Sequence, residues 1–133
     1  MTHDDLPDLI HLADDIGNSL VLRVTELDPE GLTGEIEVAS PFVNGRIRTR
    51  VSPEDLAEWE TVLGDLERGD NTAWREGGRA IELWLEWDDH DRLVVSTIDD
   101  DSRVTVELTI EVDESWLDDH YKRLDTLQKL QSA

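Results

Sequence analysis

The sequence predicts an α+β fold: a mainly antiparallel sheet of about seven strands packed against two helices, in the order four strands, helix, three strands, helix. Three observations carry this. Apolar and polar residues alternate over several short segments, as half-buried strands require. Acidic and glycine-containing turns separate those segments. Two amphipathic runs at helical spacing follow cap signals, one in mid-chain and one at the end. The clean alternation favours antiparallel pairing with helices on the inner face of the sheet. At 133 residues, a single domain over 1–133 is expected. A chain of this length can bury a core without covalent staples.

Leu6 to Ala13 is apolar-rich and reads as a first strand, ended by the turn residues Asp14 to Asn18. Ser19 to Leu27 alternates, with Leu20, Leu22 and Val24 on one face. Asp28-Pro29-Glu30-Gly31 turns the chain. Leu32 to Ala39 then sets Leu32, Ile36 and Val38 against Thr33, Glu35 and Glu37. Asn44-Gly45 between alternating runs is a strong hairpin signal, because both residues tolerate positive φ. A turn centred there pairs Phe42 with Ile47 and Val38 with Val51. A rival register turns at Pro41 and sets Glu37 opposite Arg46 and Glu35 opposite Arg48. In both registers Arg46, Arg48 and Arg50 share the face away from the core.

Ser52 is placed to cap a helix, Pro53 suits its first position, and Glu54 and Asp55 complement its dipole. Leu56, Trp59, Val62, Leu63 and Leu66 form its apolar face, and Gly69 is a natural stop. Residues 70–78 read as a loop anchored by Trp74, with Gly77-Gly78 as a turn. Arg79 to Trp87 is a strand with Ile81, Leu83, Leu85 and Trp87 on one face and Glu82, Trp84 and Glu86 on the other. Arg92 to Ile98 follows after the turn Asp88 to Asp91. Arg103 to Val112 follows after Asp99 to Ser102, with Val104, Val106, Leu108, Ile110 and Val112 inward. Asp113 or Ser115 caps a closing helix from Trp116 to about Leu130, whose buried side is Leu117, Tyr121, Leu124 and Leu127.

Charge restricts function more than any motif. The net charge is −21, and the basic residues are ten arginines and two lysines. Such a surface repels nucleic acid and anionic membranes and attracts basic partners over long range. Residues 46–79 are nearly neutral, with eight acids against six arginines. Residues 1–45 hold ten acids against one base, and residues 80–133 hold fifteen against five. The acidity fits a functional acidic face, adaptation to high salt, or plain solubility. No apolar stretch approaches the roughly 20 residues that span a bilayer. The N-terminus lacks a signal-peptide layout. The absence of cysteine fits a reducing compartment, so a cytoplasmic location is expected.

No catalytic constellation stands out. His3, His11, His90 and His120 show no metal-binding spacing. The Asp88–Asp91 loop lacks the glycine of hard-cation loops, so it and Asp99 to Asp101 read as solvated hairpin tips, and no metal or cofactor is expected. General acid–base work needs a desolvated carboxyl, whereas these acids sit at turns and on polar faces. Arg46, Arg48 and Arg50 form the one cationic row: either an anion contact or, the favoured reading, a structural offset to acids on neighbouring strands. Trp84 lies on a polar face, either covered or serving as an interface anchor.

Leu12 to Val24 and Asn44 to Gly69, followed by Trp74, resemble a family of small, acidic, uncharacterised actinobacterial proteins. The likeness covers most of the chain and implies no activity. More loosely, Gly17-Asn18-Ser19-Leu20 and Asp55-Leu56-Ala57-Glu58-Trp59 resemble motifs of the immunity proteins that neutralise WapI-type toxins. That resemblance implies a non-enzymatic, toxin-binding role.

The expectation is therefore a non-catalytic cytosolic binding protein, of the kind that masks a basic toxin. Its partner would be a basic protein, met through Trp84, Asp88, Asp89, Asp91, Asp99, Asp100 and Asp101. Two alternatives stand beside it. One is a small-molecule-binding or enzymatic domain with a pocket between sheet and helices. The other is a structural or oligomerising module with halophilic acidity.

Overall fold

The computed structural model describes residues 6–77 and 81–132. His3, Gly78 and the predicted strand start at Arg79 lie outside them. Strands β1 (Ile10–Ala13), β2 (Ser19–Asp28), β3 (Gly31–Ala39) and β4 (Asn44–Val51) pair antiparallel in chain order. Helix α1 (Pro53–Glu67) follows. A second antiparallel sheet holds β5 (Thr72–Trp74), β6 (Glu82–Trp87), β7 (Leu93–Asp99) and β8 (Val104–Ile110), and helix α2 (Trp116–Gln131) closes the chain.

The α+β class is as expected, but one sheet of seven strands is corrected to two sheets of four. The missing strand is β5, within the segment read as loop. Three residues are too few for alternation to register, yet Thr72, Ala73 and Trp74 pair with Leu85, Trp84 and Leu83. Alternation also reports only that each strand has one buried face. It does not report whether that face meets a helix or a second sheet.

The β3–β4 hairpin takes the Pro41 register, not the Asn-Gly one: Glu37 faces Arg46, Ile36 faces Ile47 and Glu35 faces Arg48. This register pairs isoleucine with isoleucine and acid with base. The Asn-Gly register would have left the glutamates without facing cations on β4. The turn is held by the Ser40 hydroxyl, which accepts from the Val43 amide at 2.8 Å. Phe42 is left 94% exposed at the tip. On β2 the register shifts between Val24 and Glu26, a bulge. Gly34 faces it, and a Cβ there would come within 2.3 Å of the Arg23 carbonyl oxygen, so no larger residue fits.

Helix α1 begins as its cap signals require. The Ser52 hydroxyl accepts from the Asp55 amide at 3.1 Å, and the Asp55 carboxylate accepts from the Ser52 amide at 3.2 Å. This reciprocal box is worth about 1 kcal/mol. Leu56, Trp59, Val62, Leu63 and Leu66 are buried. Trp59 lies 5.2 Å from Trp74, centroid to centroid, and the Trp74 indole donates to the Asp55 carbonyl at 2.8 Å. The loop anchor expected at Trp74 is thus fully buried. In α2, Leu124 and Leu127 are buried as expected, but Leu117 and Tyr121 are only half-buried. His120 takes the deep position between them, at 1% exposure.

One apolar core joins both sheets and both helices, from Leu20, Leu22 and Ile36 through Trp59 and Leu63 to Leu83, Leu108 and Leu124. Apolar side chains fill this core between the sheets and the helices. The second sheet is less covered at one end: Val104 alternates inward as expected yet is 51% exposed. A small hollow lined by Val104 and Val106 lies at that end.

Candidate functional site

A cleft of about 920 Å³ runs along β4, lined by residues of both sheets and of α1. One wall is Ile47, Arg48, Thr49 and Arg50 of β4, and the facing wall is Asp99, Asp100 and Asp101 at the β7–β8 turn. Asp55 and Glu58 of α1 close one end, with Arg75 and Glu76 beside them. Two groups of residues singled out in the sequence, far apart along the chain, therefore meet across one space.

Arg75 sits at the junction and carries a role that was not legible in the sequence. Its guanidinium donates to the Ile81 carbonyl, the Arg50 carbonyl and the Thr49 hydroxyl, each at 3.0 Å. It also lies 4.4 Å over the Trp74 ring and 3.8 Å from the Asp55 carboxylate. Its own amide donates to Glu58 at 3.2 Å. One side chain thus ties the first sheet, α1 and the segment entering β6. Burial pushes its pKa down, and Asp55 and Glu58 oppose that shift. Its backbone has φ +61°, a region that arginine rarely adopts, and no local sequence signal announces it.

The arginine row is on the outer face of the first sheet, as both registers required. Arg50 donates to both Asp28 carboxylate oxygens, at 3.0 and 3.3 Å, and to the Thr33 hydroxyl at 3.0 Å. That hydrogen-bonded pair holds the Asp28 carboxyl below its ordinary value of 3.8. Arg46 stands 4.0 Å from Glu35, and Arg23 on β2 bonds Glu37. Arg48 forms no ion pair or side-chain hydrogen bond among the described residues.

The predicted acidic contacts divide between the two ends of the second sheet. Asp99, Asp100 and Asp101 line the cleft. Asp88, Asp89 and Asp91 sit at the β6–β7 turn, beyond the seven-residue β7, roughly 20 Å away at strand rise. There Asp88 is committed to the turn. It accepts from the amides of His90 and Arg92 at 2.8 and 2.9 Å, and from the Arg92 guanidinium at 2.9 Å. These bonds, the Arg92 amide first, lower its pKa. Trp84 is half-buried on the outer face of the second sheet, and its indole donates to Glu82 at 3.2 Å. It touches neither group of aspartates.

His120 was passed over because it lacks metal spacing. It accepts from the His11 amide at 3.0 Å through Nε2, while Nδ1 lies 2.7 Å from the Trp116 carbonyl. Both contacts suit a neutral ring protonated on Nδ1. Burial pushes its pKa below the ordinary 6.5. It fastens α2 to β1, a structural role.

Among the described residues no group of three or more His, Asp or Glu side chains is placed to hold a metal ion, and no helix is long and apolar enough to cross a membrane. We found no match to the chain among curated proteins or among solved structures. One family model, a family of unknown function designated DUF5959, matches residues 7–132. None of these comparisons supports the likeness to WapI-type immunity proteins.

Proposed function

This chain belongs to the DUF5959 family, a family of unknown function, and we propose from its own geometry that it is a non-catalytic binding protein for a basic protein partner. The observation that carries this reading is the charge balance of the cleft. Six carboxylates line it, from Asp55, Glu58, Glu76, Asp99, Asp100 and Asp101, against three arginines. Arg75 is engaged inside the fold, where it meets Asp55 and Glu58, and Arg50 is engaged with Asp28, which leaves Glu76, Asp99, Asp100 and Asp101 against Arg48. What the cleft offers a visitor is therefore mainly uncompensated negative charge, within a chain of net −21. Fields of this kind accelerate encounter with cationic surfaces and are screened by salt.

The test is copurification from the producing cells, followed by binding kinetics with the partner recovered. The expected result is a basic partner whose on-rate falls steeply between about 50 and 500 mM salt. Affinity should drop in the Asp99→Asn, Asp100→Asn, Asp101→Asn triple variant. A salt-indifferent partner, or one bound equally by the triple variant, overturns the reading. Its stricter form, an immunity-type inhibitor in the cytoplasm, additionally requires that the partner be a toxin encoded beside this gene. A second reading, a small-molecule site, is favoured by one observation: the cleft volume falls within the ~300–1,000 Å³ usual for ligand clefts.

A further inference from the structure

We infer that the partner enters this cleft as an extended segment that adds a strand to the free edge of β4. The inference rests on the binding role proposed above and specifies its mode.

β4 is the last strand of the first sheet, so among the described residues one of its sides has no neighbouring strand. The Arg75 guanidinium reaches the Arg50 carbonyl at 3.0 Å from that side. Arg50 therefore points its backbone polar groups away from β3. In an antiparallel pair this orientation repeats at every second residue, so the N–H and C=O of Arg46 and Arg48 also face outward. Such groups are a template for another chain. Arg75 occupies the template at Arg50, and among the described residues Gly45 to Arg48 stay open.

The groove beside this edge is continuous. A second hollow of about 210 Å³ shares Ile47, Ile81 and Asp99 with the large cleft and reaches Gly45 and Arg46. Its walls are mainly aliphatic, from Ile36 and Val38 on one sheet to Val104 and Val106 on the other. Thr97 also lines it, and the Thr97 hydroxyl is buried with no partner among the described residues. An orphaned buried hydroxyl costs free energy until something bonds it.

These features define the occupant. Side chains directed inward at the Gly45 end would be aliphatic, filling the hollow between the sheets. One or two lysines or arginines would follow, reaching Asp99 to Asp101. Side chains directed outward would be hydroxylic or acidic, beside the uncompensated Arg48. A second copy of this chain does not fit. It would bring two surfaces of net −21 together and set one arginine row against the other.

The probe is an acetylated, amidated peptide, Lys-Thr-Val-Thr-Val-Thr, with its reverse sequence to cover both strand directions. Amide NMR shifts on the protein should concentrate at Gly45 to Arg48 and Thr97 to Val104. N-methylation of the alternate peptide amides that face β4 should weaken binding roughly tenfold, the value of about one backbone hydrogen bond. Methylation of the other set should not. Arg48→Pro removes an outward-facing amide that β3 does not use. It should abolish binding while Arg48→Ala keeps it, and circular dichroism and the melting temperature report whether Arg48→Pro stays folded.

Equal affinity for both methylated peptides, or no shifts up to about 1 mM peptide, overturns strand addition whatever the proline variant does. Binding that is lost in the triple Asn variant but indifferent to methylation overturns strand addition and leaves the basic-partner reading standing. Binding that is sensitive to methylation but indifferent to salt and to the triple variant keeps strand addition and overturns the basic partner.

Discussion

Arg75 and Arg48 line the same cleft and differ in almost every physical respect. Arg75 is 5% exposed and makes three side-chain hydrogen bonds, two to β4 and one to the segment entering β6. Arg48 is exposed and, among the described residues, makes no side-chain hydrogen bond and no ion pair. A guanidinium in water can lose a neighbour at little cost, because water replaces it. A buried guanidinium and the acceptors around it have no such substitute. The comparison separates what holds the cleft in shape from what remains available to a partner.

The largest expected effect follows from that contrast. Arg75→Met should destabilise by about 3–5 kcal/mol, because it orphans the Thr49 hydroxyl and the Arg50 and Ile81 carbonyls. Chemical denaturation would measure the loss. A change under about 1 kcal/mol would mean that water enters and satisfies those groups, and the comparison would break.

A buried base at a different place sharpens it. His120 is neutral in the fold, and its pKa lies below the unfolded value of 6.5. As pH falls through about 6.5 the unfolded chain takes up a proton that the folded chain refuses. Stability from this group is therefore fully present above that pH. It declines below it by up to about 1.4 kcal/mol per pH unit until the folded pKa is reached. The readout is the difference from His120→Gln in denaturation between pH 7 and roughly pH 5. The groups near the ring, exposed His11 and half-buried Asp119 and Arg123, are present in both proteins. Parallel curves for the two would show that His120 titrates normally.

The smallest effects belong on the exposed face. Arg48→Ala should change stability by no more than about 0.5 kcal/mol. Arg50→Ala should let the Asp28 carboxyl rise toward its ordinary 3.8, since the Arg50 hydrogen bond is the main cause of its depression. Carboxyl-carbon NMR titration would follow that rise. An unmoved Asp28 would show that the pair does not persist in solution.

Most of the local architecture was legible in the sequence. The Ser52 cap, the five buried positions of α1 and the anchoring of Trp74 follow from spacing and capping alone. The arginine row on an outer face followed from period-two geometry, whichever turn the hairpin used. The site was legible only in pieces. Arg48, Arg50 and Asp99 to Asp101 had been singled out separately, as a structural row and as hairpin tips. Their meeting across a cleft depends on how the two sheets pack. Asp88, Asp89 and Asp91 look the same in sequence but sit at the other end of β7, with Asp88 consumed by its own turn. The Asn-Gly signal at 44–45 is a local preference, and the turn forms instead at Pro41-Phe42, held by Ser40, in the register that sets Ile36 opposite Ile47.

The sequence by itself determined the strands, the helices and their inward faces, because periodicity and capping act between residues a few positions apart. It also determined the acidity that directs the proposed choice of partner. Only the tertiary structure decided which strands share a sheet, which edge stays open, and which of the described arginines is buried. Those outcomes depend on desolvation by residues distant in the chain, and the local pattern around Arg75, His120 or Thr97 carries no record of it.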